Sequence, residues 1–468
     1  MRKLFVLGVL MGFAISTTLI TLAQAVEFKA SGMMQFTTYV LGNYTFNNSA
    51  PLADKNKPFN SRFMDMRWRQ DISSEITRDL KAVLKLEMDS TNWGDTGDGR
   101  NNIGKINADR AGLEIRNAYM DWNTPYVPVN LKVGVYGNYY RPHFFMYTDA
   151  IGVNATYKLD PVTINPFYFR GYSGVYDKTD SNDYYGLVLD YTGKVHKFGA
   201  YALYVYEGDF DAAARAGSAG LPGYPYPGRY TPFDVTRYGD FYWAGVYTDG
   251  GYGNLLYRFD ALMDWGKLKD RTTPSSKDVD YLGWAAYGKV WLDFNSYQVG
   301  LVGMYSSGDD VKDTTKVSGF RLPPGSESYA LFMEGLIVYP SPFNPLNGYM
   351  TFSSDAANNA YNFQPYRGFG GTSLAKAFGA LKPTDWLTFT LSYSFIGDTV
   401  KNGNRFGSGS DKDLLGQEVD LYTKIQFNKN LSYDIGLGYL FSGDALKRND
   451  ATDPENAWAF ITRLLLLY

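Results

Sequence analysis

Two histidines, His143 and His196, are the only imidazoles in the 468 residues, and there is no cysteine. Nucleophilic catalysis needs a base held beside its Ser or Cys and oriented by a third group. His143 follows Arg141-Pro142 in a loop, His196 sits in a short turn, and neither opens a His-x-Ser-Asn-Gly run. Thiolate chemistry and disulfides are excluded outright. The stretch Asp95-Thr96-Gly97-Asp98-Gly99 begins like a calcium loop but lacks the ligand spacing and closing Glu. Gly368-Phe369-Gly370-Gly371 lacks the Gly-Lys-Ser/Thr ending of a phosphate loop. Both read as turns, so no enzyme activity, cofactor or metal is expected. What remains is fixed charge: Asp65, Arg67, Arg69 and Asp71 recur every second residue, and Lys81, Lys85, Glu114, Arg116 and Lys132 follow.

A period of two places such residues on one side of an extended strand. Between Phe63 and Ile76 the other side carries Met64, Met66, Trp68, Ile72 and Ile76. Neither lipid nor a dry core tolerates the charged face, so it must meet water. The run LTFTLSYSF from Leu387 to Phe395 alternates as sharply. This pattern recurs from Val26 to Tyr468 in segments of about ten residues, the signature of an all-β, antiparallel transmembrane barrel. The spacing predicts about eighteen strands, an even number, although sixteen also fits. Short turns such as Thr77-Arg78-Asp79 and Asn428-Lys429-Asn430 alternate with long polar loops, as the two ends of such a barrel require. Gly-Asp pairs (Gly94-Asp95, Gly208-Asp209, Gly308-Asp309, Gly397-Asp398, Gly443-Asp444) mark strands that run outward. A barrel with a polar inside is a candidate pore.

Composition agrees. Aromatic residues make up 17%, with 40 Tyr and 30 Phe, although mean hydropathy is only −0.30. Such rings suit interfacial girdles, where the body is apolar and the tip wet. The net charge of −3 argues against a nucleic-acid partner. Met1-Arg2-Lys3, the apolar stretch Leu4 to Ile15 and Ala23-Gln24-Ala25 match a secretory signal peptide, with the barrel domain at residues 26–468. Trp458, Phe460, Thr462, Leu464, Leu466 and Tyr468 face outward on the last strand, a pattern that resembles the terminal strands recognised by barrel-assembly machinery. Ile461, Leu465 and Leu467 then face inward beside Arg463, which calls for something apolar packed there.

The segments LKAVLKLEMDSTNWGDTGDG (80–99), LEIRNAYMDW (113–122) and NLKVGVYG (130–137) resemble the outer-membrane homotrimeric porins of sulfate-reducing and related anaerobic bacteria. LGQEVDLYTKIQFNKNLSYDIGLGYLFSGDAL (415–446) is similar to the tails of several large outer-membrane barrels. The resemblance implies a homotrimer in the outer membrane, among lipid and lipopolysaccharide, through which small hydrophilic solutes and ions diffuse passively. A substrate-specific channel with a stacked aromatic track and an adhesive surface barrel are the alternatives. Within the barrel reading, Arg67, Arg69, Lys81, Lys85, Arg116 and Lys132 form a basic wall, or Asp65, Asp71, Glu87 and Glu114 neutralise them; both arrangements are compatible. Gly308 to Gly368, the longest gap between strands, must pack somewhere, either sideways over a neighbouring subunit or, as favoured here, inward as a constriction, with Glu327, Glu334 and Asp355 facing the basic wall. The loop after Asn138 looks too brief for that task.

Overall fold

The computed structural model describes residues 26–43, 60–92, 113–141, 145–172, 181–208, 237–270, 278–310, 312–313, 315–323, 334–338, 370–403, 413–446 and 454–468. The chain runs through β1 (Glu27–Gly42), β2 (Asn60–Thr77), β3 (Leu80–Asn92), β4 (Glu114–Asn123), β5 (Val129–Tyr140), β6 (Met146–Leu159) and β7 (Val162–Tyr172). β8 (Asn182–Thr192), β9 (Lys197–Glu207), β10 (Arg237–Tyr252), β11 (Leu255–Asp270), β12 (Val279–Asp293) and β13 (Tyr297–Ser306) follow. The two-residue β14 (Lys316–Val317) precedes β15 (Thr372–Thr384), β16 (Leu387–Asp398), β17 (Leu414–Gln426), β18 (Leu431–Ser442) and β19 (Ala457–Leu467). Of these nineteen, β14 lies parallel on β12, leaving eighteen antiparallel neighbours. β19 pairs with β1 from Met33↔Leu467 to Gly42↔Trp458, so the sheet closes on itself. Eighteen strands, not sixteen, form the barrel.

The alternation sets the two faces. On β16, Leu391 is 57% exposed, whereas Ser392 beside it is 2% exposed and points into the barrel. Outward rings form two belts. Tyr168, Tyr185, Tyr204, Tyr242 and Trp265, on five successive strands, stand 5.1, 6.0, 5.1 and 5.5 Å apart in turn. Towards the other end lie Tyr191 with Phe198 (6.2 Å), His196 with Tyr252 (4.7 Å) and Phe294 with Tyr297 (4.6 Å). On β11 the belts are carried by Trp265 and Tyr257, about 27 Å apart along the strand at ~3.4 Å per residue. With the usual strand tilt this brackets an apolar band close to the ~25 Å expected for an outer-membrane barrel. His196 accordingly serves a belt, its Nδ1 2.9 Å from the Tyr257 hydroxyl.

The inward apolar residues of β19 are partly explained. Ile461 belongs to a buried apolar cluster that includes Leu440, Ala457, Ala459, Leu336, Ile337 and the short turn Asp444–Leu446, so material does fill the barrel beside it. Leu465 and Leu467 are not buried, and the expected plug does not reach them.

The two faces give opposite mutational costs. Leu391→Arg is expected to destabilise the barrel by about 2–4 kcal/mol, the cost of a basic residue near mid-membrane on the lipid face. Thr390→Arg, one residue away on the inner face, should cost much less. Urea unfolding in lipid bilayers compares them, and equal costs would refute the facing.

Candidate functional site: the lumen

The charged wall of β2–β5 is built as a network. Glu87 of β3 takes Arg67 Nε at 3.2 Å, Arg69 Nε at 2.7 Å and Arg116 Nη1 at 2.8 Å. Lys85 meets Asp71 at 2.8 Å, and Lys81 meets Asp121 at 3.5 Å. Lys132 lies opposite Asp121 in the ladder, with Nζ 5.9 Å from the Tyr119 ring centre. Asp65 accepts from the Tyr39 hydroxyl at 3.3 Å. Arg116 departs from simple alternation: the register runs Lys85↔Asn117 then Leu86↔Ile115, so Arg116 is the extra residue of a bulge. It still reaches Glu87, and Asp149 at 2.9 Å. Glu114 lies opposite Glu87 in the ladder, exposed. Three guanidiniums gather around Glu87, but Arg116 also pairs with Asp149, and Asp65, Asp71, Glu114 and Asp121 stand among the same cations, so the wall is a paired network. The expectation of a uniformly wet face is corrected: Asp65 and Arg67 are buried, whereas Lys81 and Lys85 keep 44% and 33% of their side chains exposed.

Across the lumen a second cluster is held by Arg141, directly after β5. Its guanidinium forks onto Asp260 of β11 (Nε 2.6 Å, Nη2 2.7 Å) and Asp249 of β10 (Nη1 2.5 Å, Nη2 3.1 Å), over the Tyr247 ring at 4.0 Å. Burial opposes its charge, but the two carboxylates win and hold the guanidinium protonated more firmly than usual. Arg141 has φ 45°, a conformation L residues adopt only when surroundings fix it. Phe145, four residues on, stacks on Tyr201 of β9 at 4.2 Å. The loop after Asn138 therefore does fold inward, contrary to the expectation from its length. His143 lies outside the described residues.

The long connection between β13 and β15 also enters. Phe320 is fully buried, and Arg321 spans the rings of Phe241 (4.0 Å), Trp243 and Tyr281 to reach Glu207 at 2.9 Å. Farther along, residues 334–338 form a strap. The Glu418 carboxylate of β17 accepts three consecutive amides, from Leu336 (2.6 Å), Ile337 (2.7 Å) and Val338 (3.0 Å). Tyr422 donates to the Gly335 carbonyl at 3.1 Å. Glu334 accepts from Tyr287 at 2.7 Å and Lys376 at 2.9 Å. Burial pushes the Glu334 carboxyl up, but Lys376 and Lys289 outweigh it and keep it below the usual range. Glu334 thus enters the lumen as expected but meets β12 and β15, not the basic wall. Glu327 and Asp355 lie outside the described residues.

Strap and Arg141 clamp cover the β9–β17 side: Lys376 keeps 7% of its side chain exposed and Asp260 none. Other inward charges stay open as well: Arg258 of β11 and Asp249 of β10 keep 34% and 32% of their side chains exposed, much as Lys85 of β3 does at 33%. Among the described residues no group of three or more His, Cys, Asp or Glu could hold a metal ion. Tyr140, Phe167, Phe169 and Tyr184 stack in an inward row at 4.7, 5.6 and 4.6 Å, but the last three are buried and act as packing.

Compared with known proteins, the barrel is similar to the outer membrane protein OpdK of Pseudomonas aeruginosa (TM-score 0.50, 10% identity, 94% of this chain and 99% of that one). A BenF-like porin from Pseudomonas fluorescens Pf-5 superposes equally well, with the same TM-score, identity and coverage. The fold is that of outer-membrane porins. No family model matches, and no curated protein sequence does.

Removing the Arg141 fork leaves Asp249 and Asp260 with one cation fewer, Arg258 at 3.0 Å from Asp260 being the one that remains. Arg141→Ala is expected to shift the reversal potential towards cations in a salt gradient, with Arg141→Lys intermediate, because an ammonium cannot fork onto both partners. Breaking such a buried pair costs about 3–5 kcal/mol, so heat-modifiable mobility on gels checks folding first. Unchanged selectivity in a folded variant would remove Arg141 from the ion path.

Proposed function

We propose that the protein is an outer-membrane porin: a water-filled channel for passive diffusion of small hydrophilic solutes and ions. Residues 1–25 direct export and are then removed, and three copies assemble as the resemblance to anaerobe porins implies. The observation that carries the reading is a closed eighteen-strand barrel, apolar and aromatic outside, whose inner charged wall stays exposed where the loops leave it uncovered. The β2–β5 wall lines the path, and the strap at 334–338 narrows it from the opposite side. A substrate-specific channel is the second reading, favoured by how tightly the Arg141 clamp and strap restrict the lumen, although the aromatic row is buried. Planar bilayer recording separates the readings. Stable ohmic steps support diffusion, a saturable current blocked by one solute supports specificity, and no steps from folded protein would overturn both in favour of a closed surface barrel.

Two variants test the parts. Arg67→Gln with Arg69→Gln is expected to lower anion preference while the barrel stays folded, since both side chains lie on the inner face and their loss leaves Glu87 with one guanidinium in place of three. Asp65→Asn with Asp71→Asn should move selectivity the other way. If reversal potentials move in neither, these charges only hold the wall together.

Glu418→Ala removes the acceptor of three strap amides, hydrogen bonds to a charged group worth about 1.5–3 kcal/mol each. Single-channel conductance is expected to rise as the strap leaves the wall. A folded variant with unaltered conductance would show that the strap does not narrow the path.

A further inference from the structure

Arg258 and Lys289 stand directly opposite each other in the β11–β12 ladder, and we propose that together they bind a small oxyanion inside the lumen. The proposal deepens the channel reading and rests on a lumen open to water. Both side chains share the inward parity of Asp260 and Tyr287, two residues along their own strands. Like charges set opposite one another on neighbouring strands, with Cβ atoms about 5 Å apart, repel and destabilise the pair. Other inward cations are each offered a carboxylate: Arg67, Arg69 and Arg116 share Glu87, Lys376 has Glu334, and Arg463 has Asp434 at 2.7 Å. Among the described residues, Lys289 has neither an ion-pair nor a hydrogen-bond partner and touches only rings.

The carboxylates nearby are already engaged. Asp249 takes Arg141, Asp260 takes Arg141 and Arg258, and Glu334 takes Lys376, so three carboxylates serve three cations and Lys289 is left over. Of the charges that reach Lys289, Lys376 and Arg258 repel it, and Glu334, held by Lys376 and Tyr287, attracts it. Beyond Tyr247, Asp190 accepts from the Tyr247 hydroxyl and Lys197 lies opposite Asp249, two charges of opposite sign that leave the balance unchanged.

Both cations are held in place without being neutralised. Lys289 Nζ lies 4.7 Å from the Phe378 ring centre and 5.7 Å from that of Trp291, and cation–π contact fixes an ammonium while leaving its charge. The two aromatic residues flank Gly300 of β13, where a Cβ would come within 2.5 Å of Trp291 Cβ and 2.7 Å of the Phe378 ring. Arg258 is positioned by Nε on Asp260 at 3.0 Å and by the Tyr287 ring at 5.6 Å. Its two Nη groups have no partner among the described residues, and 34% of the side chain is exposed. A guanidinium edge offers paired N–H donors to two oxygens, and the ammonium adds a point charge beside it. Chloride would gain the charge but not the fork. Phosphate and carboxylate groups share the chemistry that fits, and either one bridging the pair relieves its repulsion. Lys289 lies two residues nearer the short-turn end than Tyr287, which holds Glu334 of the strap, so a bound oxyanion stands at the edge of the narrowing.

The test uses the chain from residue 26 onward in planar bilayers, in potassium chloride at constant ionic strength, with inorganic phosphate and acetate as probes. Millimolar phosphate is expected to reduce the wild-type current saturably. Lys289→Gln should weaken that block at least about tenfold, as losing one charge-assisted contact predicts. Lys289→Arg should keep it, which separates charge from folding, and Arg258→Lys should weaken it, because an ammonium lacks the fork. Block by both probes supports a site for oxyanions in general, and block by phosphate alone supports a tetrahedral one. Block by neither, or undiminished block in Lys289→Gln, overturns the proposal. Thermal unfolding in detergent keeps the site distinct from the channel reading, since an anion bound by the folded chain raises Tm whether or not the protein conducts. Phosphate should raise the Tm of wild type and not of Lys289→Gln. Conducting protein that phosphate neither blocks nor stabilises sinks only the site, and stabilised protein that does not conduct sinks only the channel.

Discussion

In hydrocarbon every backbone amide and carbonyl must find a partner within the protein, because each one left unpaired costs several kcal/mol. The pairing of β1 with β19 meets that demand, since the other seventeen neighbours form an open sheet whose edges could not face lipid. The rest of the structure follows from closing the ring. Eighteen strands enclose more space than wall side chains can fill. The interior must then hold water, or loops, or both.

This protein uses both. Along β9–β17 the entering segments are held by charge-assisted contacts to backbone as well as to side chains. Glu418 captures three amides and Lys376 also takes the Glu334 carbonyl at 2.9 Å. A loop inside a barrel has polar backbone groups no strand can pair with, and wall side chains supply the missing partners. Along β2–β5 the same residue types pair with one another and remain partly wet, so their field acts on whatever passes. Ion pairs therefore do two jobs here, anchoring where they are buried and tuning where they are open.

The alternation from Val26 onward made the barrel legible, because a period of two with one lipid face leaves little freedom in register. It also located Arg67, Arg69, Lys81 and Lys85 on the inner face. It missed Arg141, whose partners Asp249 and Asp260 lie 108 and 119 residues away and belong to strands on another part of the ring. The hint was there, a cation directly after a strand and before a proline, but the fold back across the lumen is a tertiary fact. Arg116 was placed on the right wall for an incomplete reason: the bulge at Lys85/Leu86 breaks the alternation that the placement assumed. Glu334 was assigned to the inside correctly and to the wrong partner, since apolar content says that a loop must pack and not where. The apolar run of residues 336–338 entered the barrel because Glu418 offered acceptors for its amides, a match of backbone to side chain that no periodicity records.

Strand parity also explains why one residue type has two environments in one barrel. Lys376 and Lys267 both lie within strands, one almost wholly covered and the other nearly half exposed. Lys376 points inward, where Glu334 and the strap exclude water from it. Lys267 points outward, past the last ring of the belt, where its stem can lie along apolar surface while the ammonium stays in the headgroup layer. A shift of one residue in the register of either strand would exchange these fates, placing an unpaired ammonium against acyl chains and opening the socket that holds the strap. The belt rings oppose such a slip, because Tyr242 and Trp265 are stacked 5.5 Å apart only in the observed register. Interfacial aromatics thus contribute to the lumen as well as to the membrane: by pinning register from outside, they keep the charges inside facing one another.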